Sequence, residues 1–156
     1  MTTINENADT NFVEYVTVML GDQLFGLPIA RVQDVFVPDR LTRVPMSSPE
    51  IAGIMNLRGR IVTAIDMHCR LGLSACDGKI PAIAVGIELK GESYGLLVDA
   101  VGEVMKLAKD DCETKPAHLD GQLARVTAGV YRLDGQLLVV LDVDRVLDMR
   151  PDAMAA

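Results

Sequence analysis

Apolar and polar positions alternate over short stretches of this chain, and turn residues interrupt them at close intervals. In "YVTVMLGDQLFGLPI" two alternating runs flank Gly21-Asp22, which predicts a hairpin. "GIELKGESYGLLV" does the same around Lys90-Gly91, and "YRLDGQLLVVLD" around Asp134-Gly135. A further unit, "GIMNLRGRIVTAID" (Gly53 to Asp66), turns at "NLRG". There Gly59 supplies the positive φ of a tight connection, and the permanently charged Arg58 stands at the tip. Gly26 and Gly95 each follow an aromatic residue inside a strand, which predicts a bulge or a close backbone approach. Short helical patches punctuate the strands, with Asp66 capping "MHCRLGL" and Asp142 or Asp144 capping "RVLDM". Residues 105–123 are polar and read as a loop, broken by Lys115-Pro116.

The chain also repeats itself. Residues 15–35 align without gaps on 84–104, with identities at Val16/Val85, Leu20/Leu89, Gly26/Gly95, Leu27/Leu96, Val32/Val101 and Val35/Val104. Residues 53–71 align on 129–147, where Gly53/Gly129, Leu57/Leu133, Gly59/Gly135, Asp66/Asp142 and Leu71/Leu147 are identical. The offsets, 69 and 76, fit one duplicated unit with a longer second connection. Many short strands with regularly spaced turns indicate two small barrels rather than a parallel sheet. In "IARVQDVFVP", Ile29, Val32 and Val35 recur every third residue and predict an apolar stripe on a helical turn beside Asp34. Core and interface are equally open for Val32 and Val35, whereas the equivalent Val101 and Val104 are expected in the core.

Length and composition narrow the class. At 156 residues and 49% apolar, the chain suits one domain, or two small ones sharing an interface. Residues 1–11 and 150–156 are expected to be a disordered N-terminal tail and a flexible C-terminal tail around a folded 12–149. The start lacks a signal-peptide pattern, and no apolar run approaches the ~20 residues of a membrane helix, so a cytoplasmic protein is expected. Cys69, Cys76 and Cys112 have no CxxC spacing and are read as free thiols. A net charge of −7 argues against nucleic acid as a partner. Residues 31–70 nonetheless hold six arginines against four acids, an excess of +2 that would suit an acidic protein partner.

Reactive constellations are missing from the pattern. The sequence has no GxSxG, GxxxxGK[ST], HExxH or GxGxxG, and His68 and His118 have no ligand cluster around them. Asp66, Asp99 and Asp142 are read as helix caps rather than bases, and the adjacent His68 and Cys69 point apart on a short helix. No catalytic, cofactor-binding or metal-binding residue is assigned. A binding module is the class left standing, ahead of a small β-barrel enzyme or ligand-binding domain.

"RVQDV", Val44-Pro45, "GIMNLRGRIVTAIDM", "YGLLVDAVGEV" and "AGVYRLDGQLLVVLDVDRVL" together resemble the CheW family, coupling proteins of bacterial chemosensory arrays. The likeness runs from about Phe12 to Leu147. It implies a mostly β, CheW-like fold of two intertwined five-stranded SH3-like barrel subdomains with short helices. It also implies a non-catalytic cytoplasmic scaffold that joins the cytoplasmic tips of chemoreceptors to the regulatory domain of the histidine kinase CheA, at the membrane only through its partners. An adaptor of the same fold in another array, such as one for pilus motility, is the alternative. The resemblance places kinase binding on Ile29, Ala30 and Val32. It places receptor binding on Val32, Asp34, Val35, Arg58, Gly59, Gly95 and Gly129. Arg58 is expected to meet a carboxylate or carbonyl of the receptor, or to brace the loop that does so. The chain departs from the family pattern at Asp34, often Glu; at Thr63, commonly Pro; and at Tyr131, often Gly, where the ring either crowds a groove or adds to the core.

Overall fold

Each of the four expected turns joins an antiparallel pair of strands in the computed structural model, which describes residues 11–38, 41–42, 50–72, 83–114 and 121–148. The expected tails, apart from Asn11 and its hydrogen bond from Lys109, lie outside the described residues. In chain order the strands are β1 (Phe12–Leu20), β2 (Gln23–Pro28), β3 (Val32–Phe36), β4 (Ile51–Leu57) and β5 (Arg60–Asp66). They continue as β6 (Ile83–Leu89), β7 (Glu92–Val98), β8 (Ala100–Ala108), β9 (Thr127–Leu133) and β10 (Gln136–Leu141). Among the described residues three short helices accompany them: α1 (Met67–Leu71), α2 (Gly121–Val126) and α3 (Val143–Leu147).

The strands form two five-stranded sheets, ordered β8-β1-β2-β10-β9 and β3-β6-β7-β5-β4. Neither sheet belongs to one half of the chain. The hairpin β1–β2 of the first repeat lies among β8, β9 and β10 of the second, and β6–β7 of the second lies among β3, β4 and β5 of the first. Parallel pairing of β2 with β10, and of β5 with β7, welds each guest hairpin to its host strands. The chain leaving β3 reaches β4 through the bridge Thr42↔Ile54, and the chain leaving β8 reaches β9 through Glu113↔Val130. The result is the expected mostly β fold of two intertwined five-stranded units with short helices.

Three apolar clusters follow from the alternation. Inside the first sheet lie Tyr15, Tyr131, Leu138 and Val140; inside the second lie Ala64, Ala84 and Leu97. The largest cluster draws on both sheets and the helices, and includes Phe25, Leu27, Ile65, Leu96, Met67, Val146 and Leu147. Burying each such side chain contributes about 1.5–3 kcal/mol, so this shared layer outweighs the small interiors and holds the two units together. Close approach, not a bulge, explains the strand glycines. A Cβ on Gly95 would lie 3.2 Å from Phe36 Cζ, and one on Gly26 3.3 Å from Leu138 Cδ2.

The bulges lie elsewhere, and they repeat. β3 carries an extra residue opposite β6 between Val32 and Asp34, and β8 carries one opposite β1 between Val101 and Val104, at the equivalent place. Ala52 of β4 and Ala128 of β9 are likewise the unmatched residues of a second equivalent pair. Irregularities shared in this way fit a duplicated unit better than the strands alone do.

Several expectations need correction. Val32 and Val35 lie on β3 rather than a helical turn, because the edge of β6 offers ladder partners and only Ile29–Arg31 forms a 3-10 turn. Residues 105–108 belong to β8, and 121–126 to α2, so 105–123 is not one loop. Val104 is 47% exposed on an outer strand instead of in the core, while Val101 is half-buried. Tyr131 joins the core at 2% exposure, with its hydroxyl 3.1 Å from that of Tyr15.

Candidate functional site

The β4–β5 turn is tight enough to force both its residues to positive φ, 52° at Arg58 and 83° at Gly59. Glycine adopts this freely, but arginine is strained there by about 1–2 kcal/mol. The Gly59 N–H donates to Asn56 Oδ1 at 2.9 Å, which holds the turn. From this tip Arg58 reaches across the open side of its sheet to β3, where Nη1 lies 3.2 Å from Asp34 Oδ2. Asp34 divides its carboxylate, since Oδ1 accepts the Val35 N–H at 2.8 Å. Two residues of the expected receptor-facing set are thus one ion pair, and it ties the hairpin tip to an edge strand.

Exposed apolar side chains lie on the same elements. Val35 on β3 is 43% exposed and Val37 just beyond it is also exposed. Ile61, which follows the tip on β5, is 60% exposed and lines a concavity of about 400 Å³ with Arg60, Thr63, Gly91, Glu92 and Ser93. Val32 packs half-buried against the shared core, and Ile29 and Ala30 are exposed on the 3-10 turn before it. Gly95 is buried beneath Phe36 in the same sheet. Gly129 is not brought to this cluster: it lies buried on β9 of the other sheet, against Cys112 and the Glu113 carbonyl. Sequence reasoning missed Ile61. Its place in step with Thr63 and the fully buried Ile65 was the available signal for a sheet face that runs out past the core.

Three of the six arginines in 31–70 are engaged within the protein. Arg58 engages Asp34, Arg31 engages Asp144 at 2.9 Å, and Arg70 donates to main-chain carbonyls of α3. Arg40 and Arg43 lie outside the described residues. Arg70 Nε reaches the Val146 carbonyl at 2.7 Å and Nη2 reaches that of Arg145 at 2.8 Å, closing the C-terminal end of α3. Burial pulls the Arg70 pKa down, partly countered by Glu50 and Asp148. Asp66 and Asp142 cap α1 and α3 as expected, accepting the N–H of Cys69 and of Arg145. Asp99 caps no helix. It accepts the Gly21 N–H at 2.7 Å and meets His68 Nε2 at 2.9 Å, tying the β1–β2 turn to α1. Cys112 is a free thiol, but Cys69 is disulfide-bonded, which corrects the reading of every cysteine as free. Among the described residues no helix is long and apolar enough to cross a membrane.

Comparison with known proteins adds the following. The family model of the CheW-like domain matches residues 14–150. The chain is 26% identical over 133 residues to the chemotaxis protein CheW of Rhizobium meliloti, covering 85% of this chain and 86% of that protein. It is 25% identical over 135 residues to the chemotaxis protein CheW of Thermotoga maritima, covering 86% and 87%. Among solved structures it is similar to the scaffolding protein TtCheW of Thermoanaerobacter tengcongensis, with a TM-score of 0.77 and 26% identity over 88% of this chain and 94% of that one.

Proposed function

The chain belongs to the CheW family, and from that membership we propose that it couples the cytoplasmic tips of chemoreceptors to the histidine kinase CheA. Its relatives are chemotaxis proteins and its structural neighbour is a scaffold, which supports an adaptor role in chemotaxis without catalysis. The observation that carries the finer reading is the Arg58–Asp34 pair: the tip is strained as that of Lys90 is, but its charge is held across the sheet beside the exposed Val35. In this reading Val32, Asp34, Val35, Arg58 and Gly59 form the receptor face. Gly95 shapes it from beneath, and Gly129 serves from the other unit. Ile29, Ala30 and Val32 meet the kinase.

Such a protein works by bringing receptor and kinase into one assembly, which raises the effective concentration of each near the other. Signal passes only when receptor states differ in their binding free energy toward the assembly. Titration calorimetry against the regulatory domain of CheA from the same cell tests the kinase arm. Binding at micromolar Kd or tighter is expected for the native chain, and Ile29→Glu, with its circular dichroism spectrum unchanged, is expected to abolish it. Absence of binding by the native chain would remove CheA of that array as its partner.

A further inference from the structure

β1 outruns β2 at one end. The β1–β2 ladder stops at Tyr15↔Pro28, where the chain turns into the 3-10 segment, yet β1 extends back to Phe12 with only β8 beside it among the described residues. Strand residues direct their N–H and C=O to alternate sides, so at least one of Phe12, Val13 and Glu14 presents these groups where β2 has left. A cavity of about 400 Å³ opens at this half-edge, and its lining includes Phe12, Glu14, Ile29, Ala30, Lys106 and Lys109. Phe12 is 41% and Ile29 40% exposed, so two large apolar side chains form its wall. Lys106 Nζ stands 5.5 Å from the centroid of the Phe12 ring, and Glu14 is its cross-strand neighbour. With Lys109 added, the lining is net positive in a chain of net charge −7.

We propose that this end of β1 docks an extended acidic segment of a partner protein. The segment's main chain adds as a short strand beside Phe12–Glu14, which a lipid or a nucleic acid has no backbone to do. One apolar side chain packs on Phe12, Ile29 and Ala30, and a neighbouring carboxylate pairs with Lys109, strengthened by the positive charge of Lys106. Ile29 and Ala30 also belong to the kinase-facing set, but the recognition described here is of peptide chemistry and does not require that its occupant be the kinase.

The test is amide chemical-shift mapping on the full 15N-labelled chain. The probes are a capped peptide alternating valine with aspartate and its lysine counterpart. The acidic peptide is expected to shift Phe12–Glu14, Ile29, Ala30 and Lys106–Lys109, and the lysine peptide to leave them in place. Lys109→Glu should weaken the acidic peptide at least tenfold, Lys109→Ala should weaken it less, and Lys90→Glu, on a distant turn, should leave it unchanged. Absent or scattered shifts, equal response to both peptides, or undiminished binding by both Lys109 variants would overturn the proposal. The readout involves no kinase, so a failure of the coupling role would leave it standing.

Discussion

Arg58 pays for its position with backbone strain, and its pairing with Asp34 is solvent-exposed, worth about 0–1 kcal/mol. Asparagine tolerates left-handed φ better, so Arg58→Asn is expected to leave thermal stability unchanged or raise it by up to about 1 kcal/mol. Receptor affinity should fall in the same variant. Lys90→Asn relieves an equivalent φ of 53° and is the control: it should stabilise without touching binding. A drop in melting temperature for Arg58→Asn would show the arginine to be a folding residue. At Tyr131 the balance runs the other way. Its hydroxyl and that of Tyr15 satisfy each other inside the first sheet, so Tyr131→Phe strands a buried hydroxyl at a cost of about 1–3 kcal/mol. The double change to phenylalanine should be milder than the single one. Burial, before any other cause, raises the pKa of both phenols, so the folded state favours their neutral form. Their contribution is therefore complete below about pH 10, the unfolded value, and is lost as pH rises above it. Urea melts at increasing alkaline pH should show that loss in the native chain and a flatter profile in the double variant.

At the scale of elements, the hairpins were readable because turn chemistry and alternation are local properties: Lys90-Gly91 and Asp134-Gly135 sit where the sequence puts them. β3 was misread for a physical reason. Valines at every third position satisfy a helical turn and an edge strand with one bulge equally well, and only β6, fifty residues on, decides between them. The bulges themselves carry a compensation that the repeat exposes. Opposite the bulge on β3 stands Gly86, whose Cβ would touch Asp34 at 3.4 Å. In the equivalent place on β1 stands Thr17, and there the glycine has moved to the bulged strand as Gly102. The Thr17 hydroxyl donates to the Glu103 carbonyl at 2.6 Å, and a Cβ on Gly102 would lie 2.6 Å from that hydroxyl. Gly102→Ala is therefore expected to destabilise by about 1–2 kcal/mol. Adding Thr17→Ser, which keeps the donor on a slimmer side chain, should recover little, whereas Thr17→Gly should recover most of the steric part; denaturant melts would read both.

For the whole molecule, the duplication was legible in the pattern of residues, whereas the intertwining came only with the family resemblance, because a repeat reads the same whether each half pairs within itself or with the other. Likewise Asp34 and Arg58 were both legible as candidates, but not their mutual contact, which depends on the curl that brings β3 to the far hairpin. Exchange predicts one cooperative unfolding transition, with circular dichroism and hydrogen exchange in both sheets losing structure together. Residues 1–80 alone should stay unfolded. Arg70, whose fork closes the end of α3 from α1, lies across the two halves. Arg70→Lys cannot reproduce that fork, and a loss of about 1.5–3 kcal/mol is expected, read as a shift in the urea midpoint. The exchanged hairpins also set an order of events during synthesis. β3, β4 and β5 leave the ribosome before β6 and β7 exist to separate and pair with them. At about 5–20 residues per second, β3 waits roughly 3–13 seconds for the end of β7. Throughout that interval a nascent chain carries open strand edges and bare valines, so its encounter with a holding chaperone is written into its topology.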